Sequence, residues 1–486
     1  MAIRRRLGEK MLFNSVTFLI FFPIVVLIYF LIPYRYRYVW LLFSSYFFYA
    51  CQDHSMTVLL MISTVITWSS GRLVYKADSI RSKKLYVALG FVLNLSILIY
   101  FKYSGFVLSM FGKGEGINLI LPAGISFYTF QSLSYIIDCY RGDVKPEHNI
   151  LKYALFVSFF PNILSGPIER AKNMLPQIDI EYDFDVTRAK EGLFLMLWGY
   201  FLKLVIVSRL AILTDYVYGD AKICGIPVIV AMFSYSFQIY CDFAGYSSIA
   251  IGAARIMGYD VMRNFRQPYL ATSVADFWRR WHISLSTWFR DYLYIPMGGS
   301  RVSAKRRYFN IMVVFIVSGI WHGANMTYVL WGLLYGMYQV LGYILKPLKE
   351  YGYNMLRLNK KPGLYVFMCR AYTFILVSIT WIIFRASSVS DALRDFGRMI
   401  NEVHVGELFN GRLFQLGLGI NNLLFVILSL VILILVDIMC EKKQCEVYEL
   451  LNTTHVAVRW CIYYLLIIMV LLSCNLSTQE FLYQGF

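Results

Sequence analysis

The stretch "MLFNSVTFLIFFPIVVLIYFLI", residues 11–32, contains no charged residue. A transmembrane helix needs roughly 20 mainly apolar residues, and comparable apolar runs recur along the 486-residue chain. Hydrophobic residues make up 58% of the sequence and charged residues only 15%, whereas soluble globular chains carry about 25% charged residues. The runs do not alternate as the strands of a membrane β-barrel would. We therefore predict an all-α polytopic membrane protein with about ten to thirteen transmembrane helices.

The formal charge of +17 is not spread evenly along the chain. Lysine and arginine concentrate between apolar runs, at 72–84, 301–307, 346–361 and 442–443. Basic loops of this kind are typical of the cytoplasmic side of a membrane protein, where they meet anionic lipid headgroups. The charge therefore predicts membrane lipids as partners and argues against nucleic acid.

The domain organisation is predicted to be simple. Residues 1–10 form an N-terminal basic extension ahead of a second methionine, and residues 11–486 form one transmembrane domain. Its middle, about 121–336, is interrupted by polar residues, glycine and proline, as in "FPNILSGPIER" at 160–170. Polar or irregular backbone at membrane depth persists only where protein buries it or where it lines a watery cavity. We expect the middle to surround a polar cavity and the plainer ends to form the surrounding wall.

Residues 271–296, "ATSVADFWRRWHISLSTWFRDYLYIP", form the least ordinary segment. Ser273 and Asp276 have the spacing of a helix-start capping box, and the tryptophans that follow recur at helical spacing. His282 and Ser286 would then share one helical face. The segment also contains three arginines, Arg279, Arg280 and Arg290. An ordinary transmembrane helix cannot carry three charged side chains through hydrocarbon. The pattern predicts a helix at the membrane interface or a re-entrant helix that ends at the Pro296 region.

Two of the six histidines stand in apolar surroundings, His282 and His322, the latter within "SGIWHGANMTYVLWG" at 318–332. Ionisable groups inside membrane segments are costly and usually mark a pathway or a site. The alternative is a neutral imidazole that hydrogen-bonds one helix to another. Composition and spacing leave both interpretations open.

Several familiar catalytic patterns are absent from the sequence. It has no HExxH, no GxSxG and no GxxxxGK[ST] motif, and its nine cysteines form no CxxC pair. We predict no metal site and no bound cofactor. General-base chemistry remains: a neutral imidazole can take the proton of a hydroxyl that attacks an acyl carbonyl.

The two histidine segments, "FWRRWHISLSTWFRDYLYIPMGG" and "SGIWHGANMTYVLWG", resemble those of the membrane-bound O-acyltransferase (MBOAT) family. The resemblance is greatest to the bacterial branch that contains the alginate and peptidoglycan O-acetyltransferases. "LPAGISFYTFQSLSYIIDCYRG" and "FPNILSGPIER" fit the same branch. The likeness is dense over about 11–336 and looser towards the C-terminus.

This resemblance implies a ring of helices, some of them re-entrant, around a central tunnel. It implies that His322 is the catalytic histidine and His282 a second, assisting one. It further implies an acetyl-CoA or other acyl-thioester donor from the cytoplasm and a polysaccharide acceptor, reached directly or through an extracytoplasmic SGNH-type acetyltransferase partner. The expected location is the bacterial cytoplasmic membrane.

Further substrate-binding roles are predicted for side chains near the two histidines. Asn325, one turn after His322 if the segment is helical, is a candidate oxyanion donor. The other candidates are Trp321, Ser286, Arg279, Arg280 and Arg290. The arginines would either anchor the segment to lipid headgroups, the favoured interpretation, or attract a phosphorylated or acidic donor. Trp321 would either pack within the protein, again the favoured interpretation, or stack on a sugar. Alternative functions are acylation of a lipid, a teichoic acid or a protein by the same chemistry, and transport or lipid flipping.

Overall fold

The computed structural model describes residues 11–110, 121–164, 166–355, 361–408 and 411–474. Within these ranges the regular structure is helical and no strand occurs. The predicted extension at 1–10 lies outside the described residues. The described chain divides into two compact units, residues 11–200 with 246–263, and residues 201–245 with 264–474.

The first unit contains nine helices among its described residues. They are α1 (Val16–Leu31), α2 (Tyr34–Ala50), α3 (His54–Lys76), α4 (Ile80–Met110), α5 (Ile125–Arg141), α6 (Ile150–Ser158), α7 (Phe160–Ile163), α8 (Ala171–Ile178) and α9 (Val186–Tyr200). Phenylalanine rings from α1, α2 and α7 form one buried cluster, in which Phe48 lies 5.8 Å from Phe160 and Phe18 lies 5.7 Å from Phe22. Edge and stacked contacts at these distances favour a fixed packing of the three helices.

Polar side chains join helices inside this unit. Ser63 of α3 donates to Asn94 of α4 at 2.6 Å, and Tyr153 of α6 donates to Thr67 of α3 at 2.8 Å. Glu169 of the "FPNILSGPIER" segment is buried and accepts from the backbone N–H of Met262 at 2.7 Å. Interhelical hydrogen bonds of this kind stabilise bundles in a medium where burial of apolar surface alone gives little.

The second unit begins with a π-helix, Phe201–Val207, and its described residues then form twelve α-helices. They are α10 (Ser208–Gly219), α11 (Ile226–Ile256, whose residues are divided between the units), α12 (Val274–Arg280), α13 (Ile283–Phe289), α14 (Ala304–His322), α15 (Met326–Ile344), α16 (Lys346–Met355), α17 (Pro362–Arg385), α18 (Val389–Ile400), α19 (Gly419–Lys443), α20 (Val447–Asn452) and α21 (Val456–Leu471). Lys203 of the π-helix pairs with Asp242 of α11, and both side chains are almost completely buried. Such pairing is how charged groups persist within apolar surroundings.

Helices α14 and α15 approach each other closely through glycine. A methyl group at Gly319 would lie 2.2 Å from the carbonyl oxygen of Tyr328, and one at Gly332 would lie 2.2 Å from that of Phe315. Only a residue without a side chain fits at these points, as in other small-residue helix crossings. α14 ends at His322, about one turn beyond Gly319 of this crossing.

Six described helices are long and apolar enough to span a membrane, or seven if the bent pair α15–α16 is one span. These helices confirm the prediction of a polytopic membrane protein, although the number of described helices that could span is below the predicted ten to thirteen. Val16–Leu31 and Val456–Leu471 are apolar but shorter, and α14 begins with three basic residues. Only 17% and 22% of the residues in the apolar windows of α4 and α19 are buried, against 78% in α11.

The segment 271–296 differs from the single helix that its spacing predicts. Ser273 does cap α12, since its hydroxyl accepts from the N–H of Asp276 at 3.1 Å. The helix then stops at Arg280, and α13 restarts at Ile283, because His282 has φ 42° and ψ 53°, a left-handed conformation. His282 is the N-cap of α13, and the N–H of Ser286 donates to its carbonyl at 2.9 Å, so the two residues remain one turn apart across the start of α13. The segment ends in a π-helix, Arg290–Tyr294, before Gly298 and Gly299 with positive φ.

Candidate active site

His322 lies at the C-terminal end of α14 within a layer of aromatic side chains. Its imidazole is 1% exposed. Ring centroids lie 4.9 Å away for Trp321, 5.0 Å for Trp331 of α15 and 5.4 Å for Phe384 of α17. Aromatic walls of this kind hold an imidazole in one orientation and exclude bulk water, and both effects favour proton transfer at a defined atom.

His282 lies in the break between α12 and α13 and is completely buried. Its ring makes an edge contact with Phe243 of α11, with centroids 4.7 Å apart. Its Nδ1 lies 3.3 Å from Oδ1 of Asn264. Burial lowers the pKa of His282 to about 3, because the charged imidazolium loses its hydration. His282 is therefore neutral at physiological pH.

Trp321 brings the two histidines into one neighbourhood. Its ring lies 5.9 Å from that of His282 and 4.9 Å from that of His322. The structure thus places these two histidines, 40 positions apart in the sequence, in contact with one buried indole. Trp321 contacts both imidazole rings and, at 5% exposed, is too deeply buried to offer an open stacking platform.

A cavity of about 530 Å³ lies in the second unit beside this layer, between the broken segment and helices α14 and α15. Its wall includes Arg279, Ser286 and Arg290 from the broken segment and Ser318 from α14. His282 and His322 are not among its lining residues. Ser318 and His322 are one helical turn apart, about 6 Å along the axis, so the cavity reaches to within one turn of His322.

Trp278 and Trp331 separate the cavity from His322. Trp278 lines the cavity and meets Trp331 edge-on at 5.6 Å, and Trp331 in turn meets His322 at 5.0 Å. A substrate in the cavity would reach the imidazole by moving these side chains. Among the described residues, the two indoles therefore close His322 off from this cavity.

The predicted arginines have different surroundings. Arg279 and Arg290 are exposed and line the cavity, and Arg290 also pairs with the adjacent Asp291 at 2.8 Å. Arg280 is bound to Glu441 of α19 at 2.7 Å and to Asp276 at 3.1 Å. Two carboxylates of its own chain already neutralise Arg280, so it anchors the segment and leaves the cavity to the other two arginines.

Asn325 is not one helical turn after His322, because α14 ends at His322 and Asn325 precedes α15. Its side-chain oxygen accepts from the N–H of Thr327 at 3.1 Å, and its amide nitrogen donates to the carbonyl of Ser387 at 2.7 Å. Both ends of the amide thus stabilise the local turn. Asn325 is therefore not proposed as an oxyanion donor.

The sequence did not indicate Asn264, Trp331 or Phe384 as neighbours of the histidines. Trp331 falls within the quoted "SGIWHGANMTYVLWG" segment, ten residues from Trp321. Its contact with His322 could not be predicted because it depends on how α15 packs against α14. Asn264 and Phe384 come from distant parts of the chain, and no local pattern marks them.

Comparison with known proteins identifies the family. Residues 144–384 match the membrane-bound O-acyltransferase family. The chain is 36% identical over 432 residues to the probable alginate O-acetylase AlgI of Pseudomonas aeruginosa, covering 86% of this chain and 81% of that protein. It is 32% identical over 429 residues to a peptidoglycan O-acetyltransferase of Helicobacter pylori, covering 80% of each. A teichoic acid D-alanyltransferase of Bacillus subtilis is 31% identical over 237 residues, 45% of this chain and 58% of that protein.

Both matched histidine segments, the aromatic layer and the cavity lie within or next to the region that carries these similarities. The chain belongs to the membrane-bound O-acyltransferase family and is a multi-pass membrane acyltransferase.

Proposed function

We propose that this protein transfers an acetyl group from a cytoplasmic thioester to a hydroxyl on the far side of the bacterial cytoplasmic membrane, with His322 as general base. The observation that carries the proposal is the cavity whose wall includes Ser318, one helical turn from His322. It would bring an acyl donor to within one helical turn of the imidazole, which the donor would reach by displacing Trp278 and Trp331.

The distribution of charge supports donor entry from the basic side. The start of α14, the end of α15, the start of α17 and the end of α19 all adjoin lysine or arginine. His322 occupies the other end of α14, about 22 Å from Arg307 by helix rise. By the positive-inside rule the basic ends face the cytoplasm. Arg279 and Arg290 would then attract a phosphorylated carrier such as coenzyme A.

The chemical step needs one base, which takes a proton from the acceptor hydroxyl and later returns it to the leaving thiolate. Neutral His322 accepts the proton of the acceptor hydroxyl while its oxygen attacks the thioester carbonyl. As the tetrahedral intermediate collapses, the carbon–sulfur bond breaks, an ester bond remains, and the imidazolium returns the proton to the leaving thiolate. Enclosure by Trp321, Trp331 and Phe384 keeps water from competing for the acyl group.

We further propose that the final acceptor is a cell-surface polysaccharide, reached through an extracytoplasmic SGNH-type partner. Acetyl transfer is favoured over D-alanyl transfer because the similarity to the two O-acetylating relatives covers at least 80% of this chain, against 45% for the D-alanyltransferase. Acylation of a lipid or protein is the alternative with the same histidine chemistry.

The test is acetate released by mild alkali from purified surface polymers of cells that carry His322→Ala. We expect the polymer acetate to fall to the level of a deletion strain, with the variant present in the membrane at the wild-type amount. His404→Ala, at an exposed histidine, is the matched control and should retain acetylation. Normal acetylation in the His322→Ala cells would refute the proposal.

A further inference from the structure

The backbone at His282 is held in an uncommon conformation. Its φ of 42° and ψ of 53° lie in the left-handed region, which is unfavourable for residues other than glycine. Such a residue persists where its surroundings fix it from several directions, and it often lies at a functional site.

Residues 264–266 fix the chain on both sides of His282. The N–H of Ile283 donates to the carbonyl of Asn264 at 2.9 Å, and the N–H of Arg266 donates to the carbonyl of Arg280 at 3.0 Å. These two backbone hydrogen bonds enclose the Trp281–His282 break. The strained conformation is therefore set by a segment that lies 16 to 18 residues earlier in the chain.

The Asn264 side chain then orients the imidazole. The hydroxyl of Ser284 donates to Oδ1 of Asn264 at 2.6 Å, and Nδ1 of His282 lies 3.3 Å from the same oxygen. All three side chains are completely buried. An amide oxygen can only accept, so Nδ1 of a neutral His282 must carry the proton in this arrangement. Nε2 then carries the lone pair.

We propose that Asn264 is a positioning residue that holds His282 as the Nδ1–H tautomer, so that His282 presents a hydrogen-bond acceptor at Nε2. The role of that acceptor in the reaction rests on the proposed function, whereas the tautomer itself does not. In this form His282 binds a hydroxyl or amide N–H of a substrate. It cannot donate from Nε2 to an oxyanion.

The opposite amide orientation gives the opposite chemistry, which makes the proposal testable. If the Asn264 amide were reversed, its NH₂ group would donate to Nδ1, and Nε2 would carry the proton. Nuclear magnetic resonance of protein labelled with ¹⁵N-histidine, in lipid bilayers, separates protonated from unprotonated ring nitrogens. The His282 signals are assigned by their loss in His282→Gln.

We expect the wild-type protein to show a protonated Nδ1 and an unprotonated Nε2 at His282. Asn264→Asp, which keeps an acceptor oxygen, should retain a protonated Nδ1. Asn264→Leu, which has a similar size and no acceptor, should give a mixture of tautomers or the Nε2–H form. A wild-type Nε2–H signal, or an unchanged His282 signal in Asn264→Leu, would overturn the proposal. The wild-type spectrum decides it even if the leucine variant does not fold.

Asn310→Leu is the matched control. Asn310 is another completely buried asparagine of the second unit, and its amide donates to the carbonyl of Met297 at 3.1 Å. Its loss removes a buried amide without touching His282, so the His282 signals should stay as in the wild type. In acetyl-transfer assays, kcat should fall at least about ten-fold in Asn264→Leu and less in Asn264→Asp. Normal activity in His322→Ala would instead refute the proposed function and leave the tautomer assignment standing.

Discussion

Arg280 donates from both terminal nitrogens to the carboxylate of Glu441, at 2.7 and 3.0 Å. This bidentate pair joins α12 to α19 two residues before His282. Both side chains are largely shielded, with 14% and 16% of their surfaces exposed. A planar fork of this kind fixes direction as well as distance, which a lysine cannot do.

Removal of either partner should therefore destabilise the protein and reduce activity. We expect Arg280→Gln and Glu441→Gln each to lower the thermal stability of the protein in detergent, and the double variant to lose less than the sum. The coupling free energy should be about 1–3 kcal/mol. Arg394→Gln, at an exposed pair with Asp391, is the control and should change stability by less than about 0.5 kcal/mol. Additive losses at Arg280 and Glu441 would show that the pair contributes no coupling.

The crossing of α14 and α15 gives a second prediction. Gly319→Ala would place a methyl group 2.2 Å from the carbonyl oxygen of Tyr328, and backbone cannot move aside cheaply. We expect a loss of about 1–3 kcal/mol in stability, together with reduced acetyl transfer, because the crossing positions His322. Gly342→Ala in α15 meets no atom within 4 Å and should be neutral or slightly stabilising. Equal effects of the two substitutions would contradict this account of the crossing.

The arginines that line the cavity give a third prediction. In vesicles supplied with acetyl-CoA, Arg279→Gln and Arg290→Gln should raise the KM for the donor several-fold and leave kcat nearly unchanged, since they lie in the cavity and not at the histidines. The increase should shrink at high ionic strength, because exposed charges are screened. Arg301→Gln, exposed and outside the cavity lining, serves as the control. A fall in kcat alone would place these arginines elsewhere in the mechanism.

The two histidines should differ in their contributions. His322→Ala removes the proposed base, whereas His282→Ala removes a hydrogen-bond acceptor, so the loss of polymer acetate should be larger for His322→Ala. Alkali-released acetate, normalised to the amount of each variant in the membrane, measures the difference. An equal or greater loss in His282→Ala would reverse the assignment of base and helper.

Local patterns in the sequence predicted the features that are determined by residues close to one another in the chain. The apolar runs predicted membrane helices, the Ser273–Asp276 spacing predicted the start of α12, and the three arginines predicted a segment that is not an ordinary span. Each of these follows from the chemistry of residues a few positions apart. The two histidines could be identified as candidate site residues for the same reason, because an imidazole in an apolar run is unusual whatever the tertiary structure.

The predictions that were wrong concern features that depend on contacts with distant parts of the chain. The helical spacing continues through Trp281 and His282, yet the helix breaks there because residues 264–266 hydrogen-bond to both sides of the break. Arg279 and Arg280 are adjacent in sequence, but Glu441 binds only the second of them, 161 positions away. Local periodicity cannot report a partner at that distance.

The buried state of His282 predicts an acid sensitivity of the fold. Its pKa lies near 3 in the folded protein and near the usual 6.5 when unfolded, because burial disfavours the charged ring. Between these values the unfolded chain binds a proton that the folded chain does not. Stability is therefore lost as pH falls below about 6.5, by about 2 kcal/mol at pH 5, and is unaffected by this group above pH 7.

Thermal unfolding in detergent at a series of pH values measures this effect. The melting temperature of the wild-type protein should fall between about pH 7 and 5. The fall should be shallower in His282→Gln, which cannot take up a proton when it unfolds. His404→Gln, at an exposed histidine, should follow the wild-type slope. If all three proteins lose stability equally on acidification, His282 is not buried in its neutral form, and the closed site around Trp321 must open in solution.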